Sequence, residues 1–209
     1  MYTLYGFPRT RSVRVAWALE ELGLPYEYQL VNLRTGEQKS EAFLQRNPAG
    51  KVPALAGEIG TMMESAAIVT WLLDKHGQQE FMPVLGSPER MRYEEAMIFL
   101  TTELEQPLWN MAKHKFALAE EYRLDGMQRV AEFEFASAMA TFSAMLGDKS
   151  YLTGALFTGV DIVAGHILAW AKGSKMTWPY DNVTTYAERV LGRPAYQRAW
   201  KNEVAHLPA

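Results

Sequence analysis

Asn47-Pro48-Ala49-Gly50-Lys51-Val52-Pro53-Ala54-Leu55 is the stretch on which the architecture turns. Its last four residues read as a strand, yet Pro53 has no N–H to give to a ladder. The strand must therefore be interrupted there, or bordered by something other than a paired neighbour. An ordinary edge-strand proline meets that requirement. So does a cis Val52-Pro53 bond, which would turn the Val52 backbone outward and leave its N–H and C=O to pair with an extended ligand, as an added strand would. Lys51 is then either a surface lysine or a cation for a carboxylate at the end of that ligand.

Downstream, residues 52–55 and 59–62 read as a hairpin about Ala56-Gly57-Glu58, and residues 64–76 are helical, with Ile68, Leu72 and His76 on one stripe. Upstream, residues 40–46 make a short helix that Asn47-Pro48 stops. Tyr26-Glu27-Tyr28-Gln29-Leu30-Val31 alternates with period two. Residues 13–22 place Val15, Leu19 and Leu22 at i, i+4 and i+7, with Gly23 as C-cap and Pro25 beyond it, and Tyr2-Thr3-Leu4-Tyr5 is a short strand. The order is βαβαββα. Residues 77–88 are turn-rich and lack a period, which makes them a linker. Everything after them reads helical, over 88–120, 125–145, 160–172, 182–191 and 194–203. The expectation is an α/β domain at 1–80 followed by an all-helical domain at 88–209.

The chain has 209 residues, no cysteine and a net charge of −3. Without cysteine there is no disulfide, no Cys-ligated zinc or iron–sulfur cluster, and no thiolate nucleophile supplied by the chain itself. The charge balance leaves no footprint for a polyanion, so nucleic acid and an anionic membrane surface are not expected partners. No basic n-region opens the N-terminus, and no apolar run approaches the ~18 residues of a membrane span. The expected location is the cytoplasm. No GxGxxG or P-loop is present, and the four histidines lack ligand spacing, so no metal is expected.

Three places carry candidate binding chemistry. Phe7-Pro8-Arg9-Thr10-Arg11-Ser12-Val13-Arg14 puts Thr10 and Ser12 at a helix N-terminus, where unsatisfied N–H groups and the dipole favour an anion, and three arginines gather nearby. The same two hydroxyl residues are also ordinary N-caps. Glu64-Ser65 opens a helix directly after a strand. Ser65 offers a hydroxyl and backbone N–H groups to a carboxylate, and Glu64 a carboxylate to an ammonium, which together suit an amino-acid head group. The pair also reads simply as a helix start. The third place is the Lys51–Pro53 segment. By contrast, Thr158-Gly159-Val160-Asp161 heads the most apolar helix as an S/T-x-x-D box, with Phe157 placed for a hydrophobic staple, and is expected to serve folding.

In this order and spacing, residues 4–21, the Asn47–Leu55 stretch, Glu64-Ser65-Ala66-Ala67-Ile68 and the Thr158–Asp161 box resemble the cytosolic glutathione transferase family over nearly the whole chain. Among its branches the chain looks like the bacterial, theta- or beta-like members with a Ser/Thr-type site. The missing cysteine sets it apart from the omega-like and beta-like enzymes that form a mixed disulfide through their own thiol. The resemblance implies a thioredoxin-like N-terminal domain, a cis Pro53, an all-α C-terminal domain and a homodimer. It also implies a role for each residue. Glu64 and Ser65 would hold the γ-glutamyl end of glutathione, the Val52 backbone beside Pro53 its cysteinyl amide, and Lys51 with Gln38 its glycine carboxylate. Thr10 matches the catalytic position, with Ser12 and then Tyr5 ranked behind it. A hydroxyl donor and the helix dipole would lower the thiol pKa from about 8.5 by about one to two units. Phe7, Trp109, Met111, Phe116 and Trp170 are candidates for the second, electrophilic and moderately apolar substrate, and are equally candidates for interhelical core. The reaction implied is conjugation in detoxification. The alternatives are a non-catalytic interaction or sequestering protein of the same fold, and a glutathione-dependent disulfide or peroxide reductase.

Overall fold

Strands β1 (Tyr2–Gly6), β2 (Tyr26–Leu30), β3 (Ala54–Gly57) and β4 (Gly60–Met63) form one mixed sheet in the order β2-β1-β3-β4. The structure is a computed structural model describing residues 1–208, apart from the side chains of residues 78 and 79. β1 and β2 are parallel, with Gly6 opposite Leu30. β3 is antiparallel to both its neighbours, with Ala54 opposite Tyr5 on one side and Met63 on the other. This register has a direct consequence for function. The ends of β1, β2 and β4 and the beginning of β3 all lie at one end of the sheet, so segments 7–11, 31–40, 47–53 and 64–65 open there together.

Pro53 decides where β3 begins. Having no N–H for the ladder, it stays outside, and pairing starts at Ala54 rather than at Val52. The hairpin closes at the Gly57–Gly60 pair, so the tip is Glu58-Ile59, just beyond Gly57, the centre expected from the pattern. Gly60 takes φ +119, a conformation that L side chains rarely adopt.

Helix α1 (Ser12–Glu21) joins the two parallel strands and is buried from Ser12 to Leu19. α2 (Glu41–Leu44) is a single turn, capped by the Ser40 hydroxyl, which accepts from the Phe43 amide. α3 (Ser65–Leu72) follows β4 and packs on α1. Leu4, Val15, Trp17, Leu19, Ile68, Val69 and Leu72 are all fully buried, each such side chain contributing about 1.5–3 kcal/mol by leaving water. A second cluster of Val31, Phe43 and Ala54 is covered by Tyr5 and Val52. The thioredoxin-like βαβαββα reading holds.

The helix expected over 64–76 gives way after Leu72 to a wide π-type turn ending at Gly77, and the stretch expected as a linker opens with a short helix α4 (Gln78–Phe81). The chain divides after Met82. The second unit, Pro83–Leu191, is all helical: α5 (Pro88–Phe99), α6 (Glu105–Ala112), α7 (Met127–Leu146), α8 (Gly159–Gly173) and α9 (Asp181–Leu191). The helix expected over 88–120 is interrupted by wide turns at Leu100–Leu104 and Lys113–Ala117. Pro107 supplies the cause of the first, since it gives no N–H and its ring crowds the carbonyl four residues back. The Glu105 amide accordingly reaches five residues back to Leu100. The last helix, α10 (Pro194–Ala205), groups with the first unit. It packs on α1, with the Tyr196 ring 4.7 Å from that of Trp17 and Arg193 gripping Glu21 through two nitrogens at 2.5 and 2.8 Å. No helix among the described residues is long and apolar enough to cross a membrane.

Candidate functional site

At the shared end of the sheet, the turn after β1 places its two hydroxyls in contact. Thr10 Oγ1 and Ser12 Oγ lie 2.9 Å apart. The Thr10 hydroxyl donates to the Phe7 carbonyl at 2.6 Å and accepts from the Ser12 amide at 3.2 Å. The Phe7 amide in turn donates to Ser12 Oγ at 3.2 Å. With Phe7 N–H supplying Ser12, the Ser12 proton goes to Thr10, and Thr10 gives its own to the Phe7 carbonyl. Ser12 is fully buried, while Thr10 is half-exposed. The two candidates are thus joined in series rather than being alternatives, and only Thr10 reaches the surface. Its oxygen receives two donors, one of them at a helix N-terminus, which polarises its O–H toward an anion. α1 has no acidic residue in its first turn, and no side-chain bond forms at its N-cap, Arg11. Arg9 adopts φ +63, a left-handed conformation uncommon outside glycine. Tyr5, the third-ranked hydroxyl, packs edge-on against Phe43 under the Arg46 guanidinium.

The Val52-Pro53 bond is cis, and Val52 is half-buried just before the β3 ladder. The loop leading to it is held from within by the buried Asn47, whose Nδ2 donates to the Lys51 carbonyl at 2.6 Å and whose Oδ1 accepts from the Ala49 amide at 3.0 Å. Gly50 lets another segment approach closely. A Cβ there would lie 2.7 Å from Lys39 Nζ and 2.8 Å from the Gln38 carbonyl, and φ is +58. Gln38 and Lys51 are therefore brought to one loop cluster, Lys51 exposed and Gln38 with its Oε1 buried and without a partner among the described residues. Lys39 joins them, with its ammonium donating to the Ala49 carbonyl at 3.3 Å. Sequence reasoning passed over it. Its only signal was adjacency to Gln38.

Glu64 stands exposed at the N-cap of α3 with φ +69, a second non-glycine residue in the left-handed region. Strained backbone of this kind persists only where its surroundings over-determine it. Ser65 is buried, and its hydroxyl accepts from Arg14 Nη1 at 3.2 Å. Arg14, expected as one of three arginines facing an anion, is itself almost wholly buried and ties α1 to the head of α3. α3, like α1, has no acidic residue in its first turn and no side-chain cap bond.

Of the proposed second-substrate residues, Phe7 lies in the turn before α1. The others belong to the helical unit: Trp109 and Met111 are half-buried on α6, Phe116 is 66% exposed in the wide turn after it, and Trp170 is half-buried near the end of α8. The Thr158–Asp161 capping box forms. Asp161 is fully buried and accepts from the Thr158 amide (2.8 Å), the Thr158 hydroxyl (3.2 Å), the Leu152 amide (3.0 Å) and the Tyr186 hydroxyl (2.7 Å). Burial pushes its pKa up to about 6 against those donors. Phe157 packs edge-on against Tyr151. Among the described residues, no group of three or more acidic or histidine side chains could hold a metal ion.

Comparison with known proteins matches residues 1–74 to the family model described as glutathione S-transferase, N-terminal domain. Glutathione S-transferase 3 of Zea mays is 30% identical over 221 aligned residues, covering 98% of this chain and 94% of its own. Among solved structures, a glutathione transferase from Methylococcus capsulatus strain Bath superposes with a TM-score of 0.85 at 28% identity, over 98% of this chain and 100% of that one. The bacterial beta-class glutathione S-transferase of Sphingomonas chungbukensis gives 0.80 at 27% identity, over 96% and 98%.

Proposed function

The chain belongs to the glutathione S-transferase family and is a glutathione transferase; from that premise we propose that Thr10 activates the glutathione thiol for attack on small, moderately apolar electrophiles. The observation that carries this reading is the hydrogen-bond series at the head of α1. Thr10 accepts from the Ser12 amide, lies beside the Ser12 hydroxyl, and is the half-exposed member of the pair. Rotating its O–H from the Phe7 carbonyl to a sulfur costs one neutral hydrogen bond and forms one to an anion, which is roughly twice as strong. Together with the helix dipole, this lowers the thiol pKa by about one to two units, each worth about 1.4 kcal/mol. Water takes the thiol proton. The thiolate then forms the new sulfur–carbon bond while the displaced group leaves with its electron pair, and the protein acts by positioning and charge stabilisation.

The rest of the end-of-sheet cluster supports glutathione as co-substrate. Glu64 with Ser65 suits the γ-glutamyl ammonium and carboxylate. The Val52 backbone, outside the ladder beside Pro53, suits the cysteinyl amide. Lys51 and the Gln38 Nε2, with Lys39 adjacent, suit the glycine carboxylate as donors. Phe7, Trp109, Met111, Phe116 and Trp170 are assigned to the apolar part of the electrophile. The homodimer is part of the same proposal. In the helical unit, Met91 and Ile98 stand exposed on α5 as two apolar residues that a partner copy could cover. Sedimentation at micromolar concentration should give a dimer, and a clean monomer removes that part.

The decisive assay offers glutathione with an aryl halide, an epoxide, a peroxide or a mixed disulfide and follows the products by mass. Conjugates with the halide or epoxide are expected, and they should be lost in Thr10→Ala. Conversion of the peroxide or disulfide alone would make the chain a reductase, and no consumption of glutathione at all would make it a binding protein.

A further inference from the structure

We propose that Arg14 is a positioning residue of the glutathione head-group subsite: its buried guanidinium holds the Ser65 hydroxyl oxygen as an acceptor and so turns the Ser65 proton toward the γ-glutamyl carboxylate. The proposal rests on the reading of Ser65 as the contact to that carboxylate and adds to it the residue that directs and strengthens the contact.

The geometry is a hydrogen bond between two helices. Arg14 is the third residue of α1, 1% exposed, and its Nη1 donates to Ser65 Oγ at 3.2 Å. Ser65 is the first residue of α3, which packs on α1, and is itself buried. A serine hydroxyl has one proton to give and two lone pairs to offer, whereas a guanidinium only donates and stays charged throughout the working range of pH. Arg14 therefore occupies an acceptor site on the Ser65 oxygen, and the Ser65 proton is left to be directed elsewhere. The first turn of α3 holds no acid to take it, and no side-chain bond caps the helix. A hydroxyl that accepts from a cation is the stronger donor, because the charge-assisted bond polarises its O–H. A carboxylate at the head of α3 meets that donor together with the N–H groups of the helix terminus.

The placement of the cation points the same way. The buried run of α1, from Ser12 to Leu19, is otherwise uncharged, with Val13, Val15, Ala16 and Trp17 beside Arg14 in the chain. An apolar side chain would continue it. A buried guanidinium instead has to be taken out of water, and in the first turn of a helix a cation opposes the dipole. An anion arriving at the head of α3, where Arg14 reaches Ser65, offsets part of both costs. The arrangement that burdens the free protein thus favours the bound one. Removing Arg14 should weaken glutathione through its γ-glutamyl carboxylate and spare the contacts made by the rest of the ligand.

The test uses two ligands, glutathione and its analogue in which the γ-glutamyl α-carboxylate is an amide. It measures the affinity of each by calorimetry, KM and kcat with glutathione, and thermal unfolding. The proteins are the wild type, Arg14→Met, Arg14→Lys, Ser65→Ala and the double variant Arg14→Met/Ser65→Ala. The wild type should prefer glutathione over the amide. In Arg14→Met that preference should fall about tenfold, as expected for the loss of a charge-assisted hydrogen bond, with the effect in KM for glutathione and far less in kcat. A general distortion of the fold would weaken both ligands alike and leave the preference intact. Arg14→Lys keeps the buried cation, but its side chain ends one atom short of Nη1. Its preference should fall too, and it decides the matter if Arg14→Met does not fold. Adding Arg14→Met to Ser65→Ala should lower the preference no further than Ser65→Ala alone, because Arg14 acts through Ser65. A wild-type preference in either folded Arg14 variant, or additive losses in the double variant, would overturn the proposal while leaving Ser65 in its role. If Ser65→Ala keeps the wild-type preference, or the wild type shows none, the reading of Ser65 fails first and the role of Arg14 fails with it.

Discussion

At the head of α8, Thr158 and Asp161 close on each other, and the carboxylate is buried under four donors. At the head of α1, Thr10 and Ser12 also bond each other, but the first turn holds no acid and the outer hydroxyl is half-exposed. Both begin with a Thr hydroxyl near a helix N-terminus. The difference is whether negative charge has been built in. α8 brings its own carboxylate and so satisfies its terminus for folding, whereas α1 leaves its hydroxyl pair and dipole without an acid, as the proposed role of Thr10 toward a ligand's anion requires. α3 resembles α1 in this respect, with Glu64 strained at its N-cap and Ser65 tied to Arg14.

The contrast breaks most visibly at Asp161. Replacing it by Ala strands the Leu152 and Thr158 amides and the Tyr186 hydroxyl in the core, and the loss should be about 3 kcal/mol or more. Urea unfolding measures it, and the thiol pKa of the folded fraction should stay put. If Asp161→Ala instead moved the thiol pKa and spared stability, the two termini would not be the opposites described. Thr10→Ala should do the reverse. A fall of about a hundredfold in kcat/KM is expected from losing one donor to a developing anion, with stability changed by no more than about 1 kcal/mol. Ser12→Ala removes the group behind Thr10, so a smaller loss in kcat/KM, roughly tenfold or less, should accompany a modest destabilisation from the stranded Phe7 amide. Should Ser12→Ala exceed Thr10→Ala in raising the thiol pKa, the order of the series is inverted. Smallest of all, Lys51→Ala should raise KM for glutathione a few-fold, less at high salt, with kcat unchanged, since an exposed cation contributes little and is screened.

Much of this was legible in the chain because it was local. Pro53 marked where a ladder has to stop, the Thr158–Asp161 spacing marked a box, and Thr10, Ser12, Glu64 and Ser65 stood where strand gives way to helix. The wide turn before α6 could have been read from Pro107. What the sequence concealed was long-range. Nothing in the period of residues 194–203 says that α10 packs back on α1, and so the helical domain was expected to run to the end of the chain. One signal was there to find: Ala195, Ala199 and Glu203 share a helix face, and a carboxyl group on a buried alanine stripe needs a reason. Arg14 posed the opposite problem. Its charge suggested solvent or ligand, and only the packing of α1 against α3 makes it a buried donor to Ser65.

The central claim is that the head of α1 exists to lower the pKa of a borrowed thiol. Ultraviolet titration of glutathione bound to the wild-type protein and to Thr10→Ala tests it most directly. The thiol should ionise about one to two units below its free value of about 8.5 in the wild type, and return toward that value in the variant. A thiol that titrates near 8.5 in the wild-type complex would contradict it.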